Sequence, residues 1–250
     1  TPSSPEPDFE GKSPIGVYGD FVMNTDACIG RIREHLRKSG LEKNTLVMVS
    51  SDHGPGHYSG PERKAIANQM KVMEQQGHFS RGPWRGYKFS GYEGGLRVPF
   101  AALWPGVIRP GTENDALVGL VDLMATWAGV AGVKLDSSQA PDSLSFLPYL
   151  ANKEPLVRNH LLARGTRADV YYEGNWKLIL GPGSGSSGPF FTEPKSEDAW
   201  KEALVEFGRK PKNHKVLENH LFVQLYDLKA DPGETKNLAK THFGQVQKMI

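Results

Sequence analysis

The sequence contains a single cysteine, Cys28, so no disulfide can form within the chain. It also lacks any apolar run that approaches the roughly 20 residues of a membrane-spanning helix, which argues against a membrane span. The 30 Lys and Arg residues nearly balance the 28 Asp and Glu residues, giving a net charge of +2. Such a balance argues against a nucleic-acid partner, which would need a basic surface.

The beginning of the chain also lacks familiar features. It reads Thr-Pro-Ser-Ser-Pro-Glu-Pro, without an initiator Met and without a signal peptide. We therefore expect a mature product or a fragment of a longer protein. Of the 250 residues, 38% are hydrophobic and 23% are charged, which is typical of a soluble globular protein. This length suits one large α/β domain, or such a domain with a small appendage.

The most informative stretch is the segment 45–54. Residues 46–49 form a short apolar run, and this predicts a strand buried on both faces inside a parallel sheet. The polar residues Asp52 and His53 follow directly, where open α/β sheets gather their ligands. A carboxylate beside an imidazole is a candidate metal or acid–base site, although an ordinary polar turn with an Asp cap would read the same way.

A helix precedes this strand. Apolar residues recur at helical spacing from Asp20 onward, so we predict that Asp20 caps the helix and that Gly40 ends it. Cys28 lies on the apolar side and is interpreted as a small core residue. A second buried strand is predicted over residues 98–104, and a second amphipathic helix over residues 122–131.

Two further segments carry candidate site residues. The long polar stretch 55–81 contains His57 and His78, which are either ligands or exposed loop histidines. Residues 82–99 are rich in glycine, and glycine lets a backbone approach a ligand closely or turn tightly. Lys88 lies in this stretch and is either an anion-binding group or a solvated lysine.

The sequence pattern in the last third of the chain predicts short antiparallel strands. Strands are predicted over residues 161–164, 169–172, 176–180 and 224–228, with a hairpin turn at 173–175. A short helix is predicted over residues 198–207, and a closing helix within residues 237–250. The glycine- and serine-rich run 181–188 is interpreted as a flexible loop.

Three separated segments together resemble the sulfatase family. Residues 51–54 read Ser-Asp-His-Gly at a strand end. Residues 86–99 match the family signature Gly-x-Lys-x-x-x-x-Glu-Gly-Gly-x-Arg-x-Pro. Residues 225–228, Leu-Tyr-Asp-Leu, and 231–238, Asp-Pro-Gly-Glu-Thr-Lys-Asn-Leu, are similar to its C-terminal motif. The resemblance covers nearly the whole chain.

The resemblance implies roles for particular residues. Asp52 and His53 correspond to ligands of the active-site divalent cation, and Lys88 corresponds to the lysine that contacts the sulfate. Glu93 and Arg97 are expected to hold the glycine-rich loop in shape. The family usually uses Ca²⁺, but an imidazole is an unusual calcium ligand, so Mg²⁺ or Mn²⁺ also fits His53.

The resemblance also implies a nucleophile, a formylglycine made from Cys or Ser in a Cys/Ser-x-Pro-x-Arg motif. Cys28 is followed by Ile-Gly-Arg and does not fit. We expect the nucleophile and an early Asp-Asp metal pair upstream of this chain, which would then be inactive alone. Without the first strands of the sheet, it would leave an open edge and exposed apolar surface. Family members are commonly periplasmic, secreted or lysosomal, so export is expected.

The expected fold is α/β of the alkaline-phosphatase-like kind. Residues 1–160 would supply the later part of a mixed sheet flanked by helices, and residues 161–250 a small antiparallel sheet with a helix. The expected function is hydrolysis of aryl or carbohydrate sulfate monoesters. A phosphodiesterase or phosphonate hydrolase of the same superfamily, and a non-catalytic anion-binding fragment, remain alternatives. The sequence does not reveal the oligomeric state.

Overall fold

The computed structural model describes residues 4–56, 73–151, 158–165, 168–181 and 223–250. The α-helices are α1 (Val17–Lys38), α2 (Glu93–Leu96), α3 (Leu123–Val130), α4 (Leu147–Leu150) and α5 (Phe243–Met249). The strands are β1 (Val47–Ser50), β2 (Phe100–Leu103), β3 (His160–Arg164), β4 (Asp169–Glu173), β5 (Trp176–Leu180) and β6 (Val223–Asp227). The predicted helix at 198–207 lies outside the described residues, as does nearly all of the predicted loop at 181–188.

Helix α1 begins earlier than predicted. It starts at Val17, so the prediction that Asp20 caps it is wrong. The Asp20 carboxylate is buried and accepts hydrogen bonds from the backbone N–H groups of Gly11, at 2.9 Å, and Ser13, at 2.6 Å. Asp20 therefore anchors the preceding loop against the first turn, where a negative charge also suits the helix dipole. At the other end Gly40 has φ +71°, which confirms the predicted left-handed termination.

The first sheet differs from the sequence expectation. β1 pairs antiparallel with β2, with Val47 opposite Leu103 and Ser50 opposite Phe100. Within the described residues these two strands form a two-stranded sheet and are half-buried or exposed. The prediction of doubly buried strands in a parallel sheet is therefore wrong for this part of the chain. The apolar run defines a strand, but burial depends on neighbouring elements, which a run of residues does not specify.

The second sheet follows the prediction closely. β3, β4, β5 and β6 form an antiparallel meander in that order, and Gly174, with φ +57°, lies in the predicted hairpin turn. Residues alternate between the two faces, and both faces are covered. Leu178 and Leu225 pack with Val246 of α5 on one face, while Ile179 and Tyr226 lie in a cluster with Tyr92 on the other. The predicted closing helix thus forms, although it begins at Phe243, and the second face receives the glycine-rich loop.

Several apolar side chains on the helices remain exposed, as expected from the sequence. Ile32 of α1 is 59% exposed and Trp127 of α3 is 53% exposed. Cys28 is half-buried and belongs to neither core cluster, so its interpretation as a core residue is not met in the described residues. None of the described helices combines the length and apolarity needed to cross a bilayer. The proposed division at residue 160 stays a prediction.

The role of Asp20 leads to a stability prediction. Replacing Asp20 with Ala removes the acceptor of two backbone N–H groups, so the free energy of unfolding should fall by about 1–3 kcal/mol. The control is Asp26→Ala, because Asp26 is an exposed carboxylate on the same helix. It should change stability by less than about 0.5 kcal/mol. Urea denaturation of both variants measures the difference, and equal effects would contradict the anchoring role.

Candidate functional site

The candidate site begins where β1 ends. The Asp52 Oδ2 atom lies 3.1 Å from His53 Nε2, and the two side chains are 81% and 36% exposed. The other ring nitrogen, Nδ1, lies 2.9 Å from the backbone carbonyl oxygen of Gly54. A carbonyl accepts only, so Nδ1 carries a proton in this contact.

This arrangement fits a cation. The Asp52 Oδ2 atom and the His53 Nε2 atom, 3.1 Å apart, are close enough to share a proton or a positive ion. In a metal-binding histidine, the ring nitrogen that does not bind the metal usually donates a hydrogen bond to a neighbouring oxygen. No group of three or more His, Cys, Asp and Glu side chains converges among the described residues. Asp52 and His53 by themselves do not make a complete metal site among the described residues, and their role as ligands stays a prediction.

The glycine-rich loop lies directly against this pair. The Gly54 N–H donates to the Gly95 carbonyl at 2.9 Å, and the Lys88 N–H donates to the Pro55 carbonyl at 3.0 Å. At Gly54 a Cβ atom would collide with the carbonyl oxygen of Gly94. The glycines thus allow two backbone segments to touch, whereas the sequence predicted a close approach to a ligand or a tight turn. The contact brings the Asp52–His53 turn and the Lys88 turn together, although about 35 residues separate them in sequence.

The backbone around Lys88 has an unusual conformation. Phe89 has φ +79°, in the left-handed region that a bulky side chain rarely adopts. The Lys88 Nζ atom lies 5.2 Å from the centroid of the Phe89 ring, within the range of a cation–π contact. Such strain persists only where surrounding contacts hold the backbone in place, and it is typical of functional turns.

A buried ion network holds the base of the loop. The Lys177 ammonium on β5 is fully buried and lies 2.9 Å from Glu93 Oε1 and 2.8 Å from Glu234 Oε1. The Tyr172 hydroxyl also donates to Glu93 Oε1, at 2.8 Å. The backbone N–H of Glu93 in turn donates to Glu234 Oε2 at 2.6 Å. One lysine therefore joins the glycine-rich loop, the second sheet and the C-terminal motif.

The two carboxyl groups of this network respond differently to their surroundings. Burial acts to raise the pKa of Glu93, but the Lys177 charge and the hydrogen bonds from Lys177 and Tyr172 outweigh it, so this pKa lies below its ordinary value. Burial raises the pKa of Glu234 above its ordinary value, because Lys177 offsets only part of the desolvation. Burial and the Glu93 charge raise the pKa of Tyr172 well above its ordinary value, so Tyr172 remains a donor.

A second set of contacts fastens the same loop to the C-terminal motif. The Arg85 guanidinium donates to the Glu234 carbonyl at 2.6 Å and lies 4.0 Å from the centroid of the Tyr92 ring. The hydroxyls of Tyr92 and Tyr226 both donate to the side-chain oxygen of Gln224, at 2.9 and 2.8 Å. Burial first, and then the neighbouring Tyr92, raise the pKa of Tyr226. Two motifs far apart in sequence thus form one packed unit.

These contacts agree with part of the sequence analysis and extend it. Glu93 holds the loop, as expected, and Arg97 Nη1 lies 3.5 Å from Glu93 Oε2. Lys177 and Glu234 were not anticipated as partners of Glu93. A signal existed for Lys177, because it is a charged residue between apolar neighbours inside a predicted strand. Glu234 belonged to a recognised motif, but no pattern in the sequence pairs it with Glu93.

Other candidate residues have different outcomes. His57 lies outside the described residues. The His78 ring centroid lies 6.0 Å from that of Tyr18, an aromatic contact, and no described cluster of metal-ligating residues includes His78. The roles of Asp52, His53 and Lys88 in binding stay predictions.

The Cys/Ser-x-Pro-x-Arg pattern also occurs once within the chain, and the expectation of a nucleophile upstream stays a prediction. Residues 59–63 read Ser-Gly-Pro-Glu-Arg, which fits the Cys/Ser-x-Pro-x-Arg pattern. This segment follows the Asp52–His53 pair, whereas the resemblance expects the nucleophile before it. The segment also lies outside the described residues. A five-residue pattern with three specified positions is a weak signal without its structural context.

Comparison with known proteins supports the resemblance. The family model for sulfatases matches residues 2–133. Over 242 residues the chain is 32% identical to N-acetylgalactosamine-6-O-sulfatase of Bacteroides thetaiotaomicron, covering 96% of this chain and 42% of the relative. It is 36% identical over 144 residues to steryl-sulfatase of Rattus norvegicus, covering 58% of this chain and 23% of the relative.

A solved structure shows the same fold. It is a sulfatase described in work on the metabolism of multiple glycosaminoglycans by Bacteroides thetaiotaomicron. The TM-score is 0.74 at 30% sequence identity, and the match covers 97% of this chain and 45% of that chain. The chain therefore spans less than half the length of these relatives.

The close backbone contact at Gly54 leads to a prediction. Gly54→Ala places a methyl group against the Gly94 carbonyl, so we expect about 1–3 kcal/mol of destabilisation from overpacking. The control is Gly30→Ala, because Gly30 lies in α1 with open space around it. Alanine there should be neutral or stabilise by up to about 1 kcal/mol. Thermal unfolding of the two variants measures this contrast, and a harmless Gly54→Ala would contradict the contact.

Proposed function

Because the chain belongs to the sulfatase family, we propose that it supplies the cation-binding turn and the sulfate-binding loop of a sulfate monoester hydrolase. The observation that carries this proposal is the pair of backbone hydrogen bonds from Gly54 to Gly95 and from Lys88 to Pro55. They hold the Lys88 turn beside Asp52 and His53. A cation ligand pair and an ammonium side chain on adjoining turns suit a doubly coordinated anionic group.

Each side chain has a chemical role in this proposal. Asp52 and His53 would hold a divalent cation, either Ca²⁺ or, given the imidazole, Mg²⁺ or Mn²⁺. When bound, the cation polarises the sulfate oxygens and stabilises negative charge. Lys88 binds a sulfate oxygen as a point charge and stabilises the charge that develops as the ester bond breaks. A formylglycine nucleophile would come from outside these 250 residues.

For the substrate we propose a sulfated carbohydrate. Support comes from the first relative above, whose name specifies N-acetylgalactosamine 6-O-sulfate chemistry, and from the glycosaminoglycan context of the solved structure. The steryl-sulfatase match covers a smaller share of the chain. The Asp52–His53 pair would also suit a phosphodiesterase, so phosphate esters are the necessary comparison.

The role of Lys88 is testable in the full-length protein that contains this chain. Lys88→Ala should lower kcat/KM for a carbohydrate sulfate by about 10²–10³-fold, because one charge-stabilising donor is lost from the transition state. The control is Lys38→Ala, since Lys38 is an exposed lysine on α1. Steady-state kinetics on matched sulfate and phosphate esters provide the measurement.

Three outcomes of these kinetics are informative. A preference for the sulfate ester that depends on Lys88 supports the proposal. A preference for the phosphate ester would favour the phosphodiesterase alternative. Ligand binding without turnover in the full-length protein would favour a non-catalytic anion-binding role.

The cation pair gives a second prediction. In the full-length protein Asp52→Asn should weaken divalent-cation binding at least tenfold, because a charged ligand becomes neutral. His53→Asn should raise the affinity for Ca²⁺ relative to Mn²⁺, because a carbonyl oxygen replaces a nitrogen donor. Isothermal titration calorimetry with each metal tests both effects. The control is Asp26→Asn, because Asp26 is an exposed carboxylate on α1. Unchanged affinity in both site variants would remove Asp52 and His53 as ligands.

A further inference from the structure

We propose that Glu234 and Lys177 are positioning residues, which set the place of the Lys88 loop from the second sheet. The inference rests on the proposed function of that loop. It assigns an active-site task to the C-terminal motif, whose residues contact the base of the loop rather than the cation pair. The proposal stands on a continuous path of contacts from Glu234 to the Asp52–His53 turn.

The first part of this path joins the C-terminal motif to α2. Glu234 accepts the backbone N–H of Glu93 with one carboxylate oxygen, at 2.6 Å, and its other oxygen lies 2.8 Å from Lys177 Nζ. Lys177 lies 2.9 Å from the Glu93 side chain. Glu93 is thus held at its backbone and at its side chain by groups outside its own loop. It has little freedom to shift or rotate without breaking a buried charged contact.

The second part of the path runs from Glu93 to the site. Gly94 and Gly95 follow Glu93 directly, and the Gly94 N–H donates to the Arg85 carbonyl at 2.6 Å. The Gly95 carbonyl accepts the Gly54 N–H next to His53. Gly54 and Gly94 have no space for even a methyl group, so the packing cannot absorb a displacement. A shift of Glu93 would therefore reach both turns of the candidate site.

The free-energy cost of burying these charges also indicates a role other than stabilising the fold. Lys177 and Glu234 are fully buried ions, and well-packed apolar residues often stabilise a core as well as a buried ion network does. Glu234 moreover adopts φ +52°, a left-handed conformation that costs energy for a non-glycine residue. Directional charged contacts fix geometry where apolar packing alone would not. Strained, buried polar groups next to a candidate site favour a positioning task.

The test uses Glu234→Gln in the full-length protein. Glutamine keeps the size of the side chain but has one acceptor oxygen, so it cannot accept from the Glu93 N–H and also face the Lys177 ammonium favourably. The control is Asp169→Asn, because Asp169 is an exposed carboxylate on the same sheet, paired with Arg164. Both variants undergo hydrogen–deuterium exchange by mass spectrometry and steady-state kinetics on a sulfate ester.

We expect faster exchange in residues 86–97 of Glu234→Gln, with residues 169–180 unchanged. We also expect kcat to fall about tenfold or more with a smaller change in KM, because misplaced groups weaken the transition state more than the bound ground state. Asp169→Asn should match the wild type in both measurements. A purely structural role predicts faster exchange in both segments together.

The proposal is overturned if residues 86–97 exchange at the wild-type rate, or if both segments lose protection equally. It is also overturned if local exchange rises while kcat stays unchanged. If the wild-type protein hydrolyses no sulfate ester, the proposed function fails by itself. The exchange measurement then still decides whether Glu234 positions the loop.

Discussion

The described structure depends on one buried ammonium group. Lys177 lies between Glu93 and Glu234, with both carboxylates within 3 Å and almost no exposure to water. Burial raises the pKa of Glu234, whereas the charge and hydrogen bonds of Lys177 and the Tyr172 hydroxyl outweigh burial at Glu93 and lower its pKa. Burying such ions is costly, so the chain must supply every hydrogen bond that the cluster needs. Tyr172 and the Glu93 backbone N–H supply two of these bonds, whereas Glu234 Oε1 faces Lys177 as an ion pair and has no hydrogen-bond partner among the described residues.

Backbone contacts at glycine residues connect this cluster to the candidate site. Gly54, Gly94 and Gly95 allow backbone to lie on backbone, and no other residue type fits that spacing. The consequence is that Lys88 and the Asp52–His53 pair meet as turns held by main-chain hydrogen bonds. A site built in this way depends less on flexible side-chain packing and more on the position of α2. Helix α2 is in turn held by contacts from Lys177 of the second sheet and from Glu234 of the C-terminal motif.

Features that depend on neighbouring residues in the sequence were predicted correctly, whereas features that depend on contacts with distant residues were not. The meander β3 to β6 and the turn at Gly174 were predictable, because strand alternation and a positive-φ glycine are local properties. The helices α1, α3 and α5 were predictable for the same reason. The burial and pairing of β1 were not, since those properties depend on which elements lie beside the strand. The start of α1 was misjudged because Asp20 bonds to a preceding loop, and local capping rules do not include such contacts.

The sequence by itself determined the family resemblance, the strand and helix pattern of most described elements, and the candidate residues Asp52, His53 and Lys88. Motif spacing and hydrophobic periodicity are properties of consecutive residues, so the sequence is sufficient to identify them. Only the tertiary structure decided that Lys177 and Glu234 hold Glu93, and that Gly54 touches Gly95. Those contacts join residues from 41 to 141 positions apart. Burial, which gives the ion contacts their strength, exists only after the chain has folded.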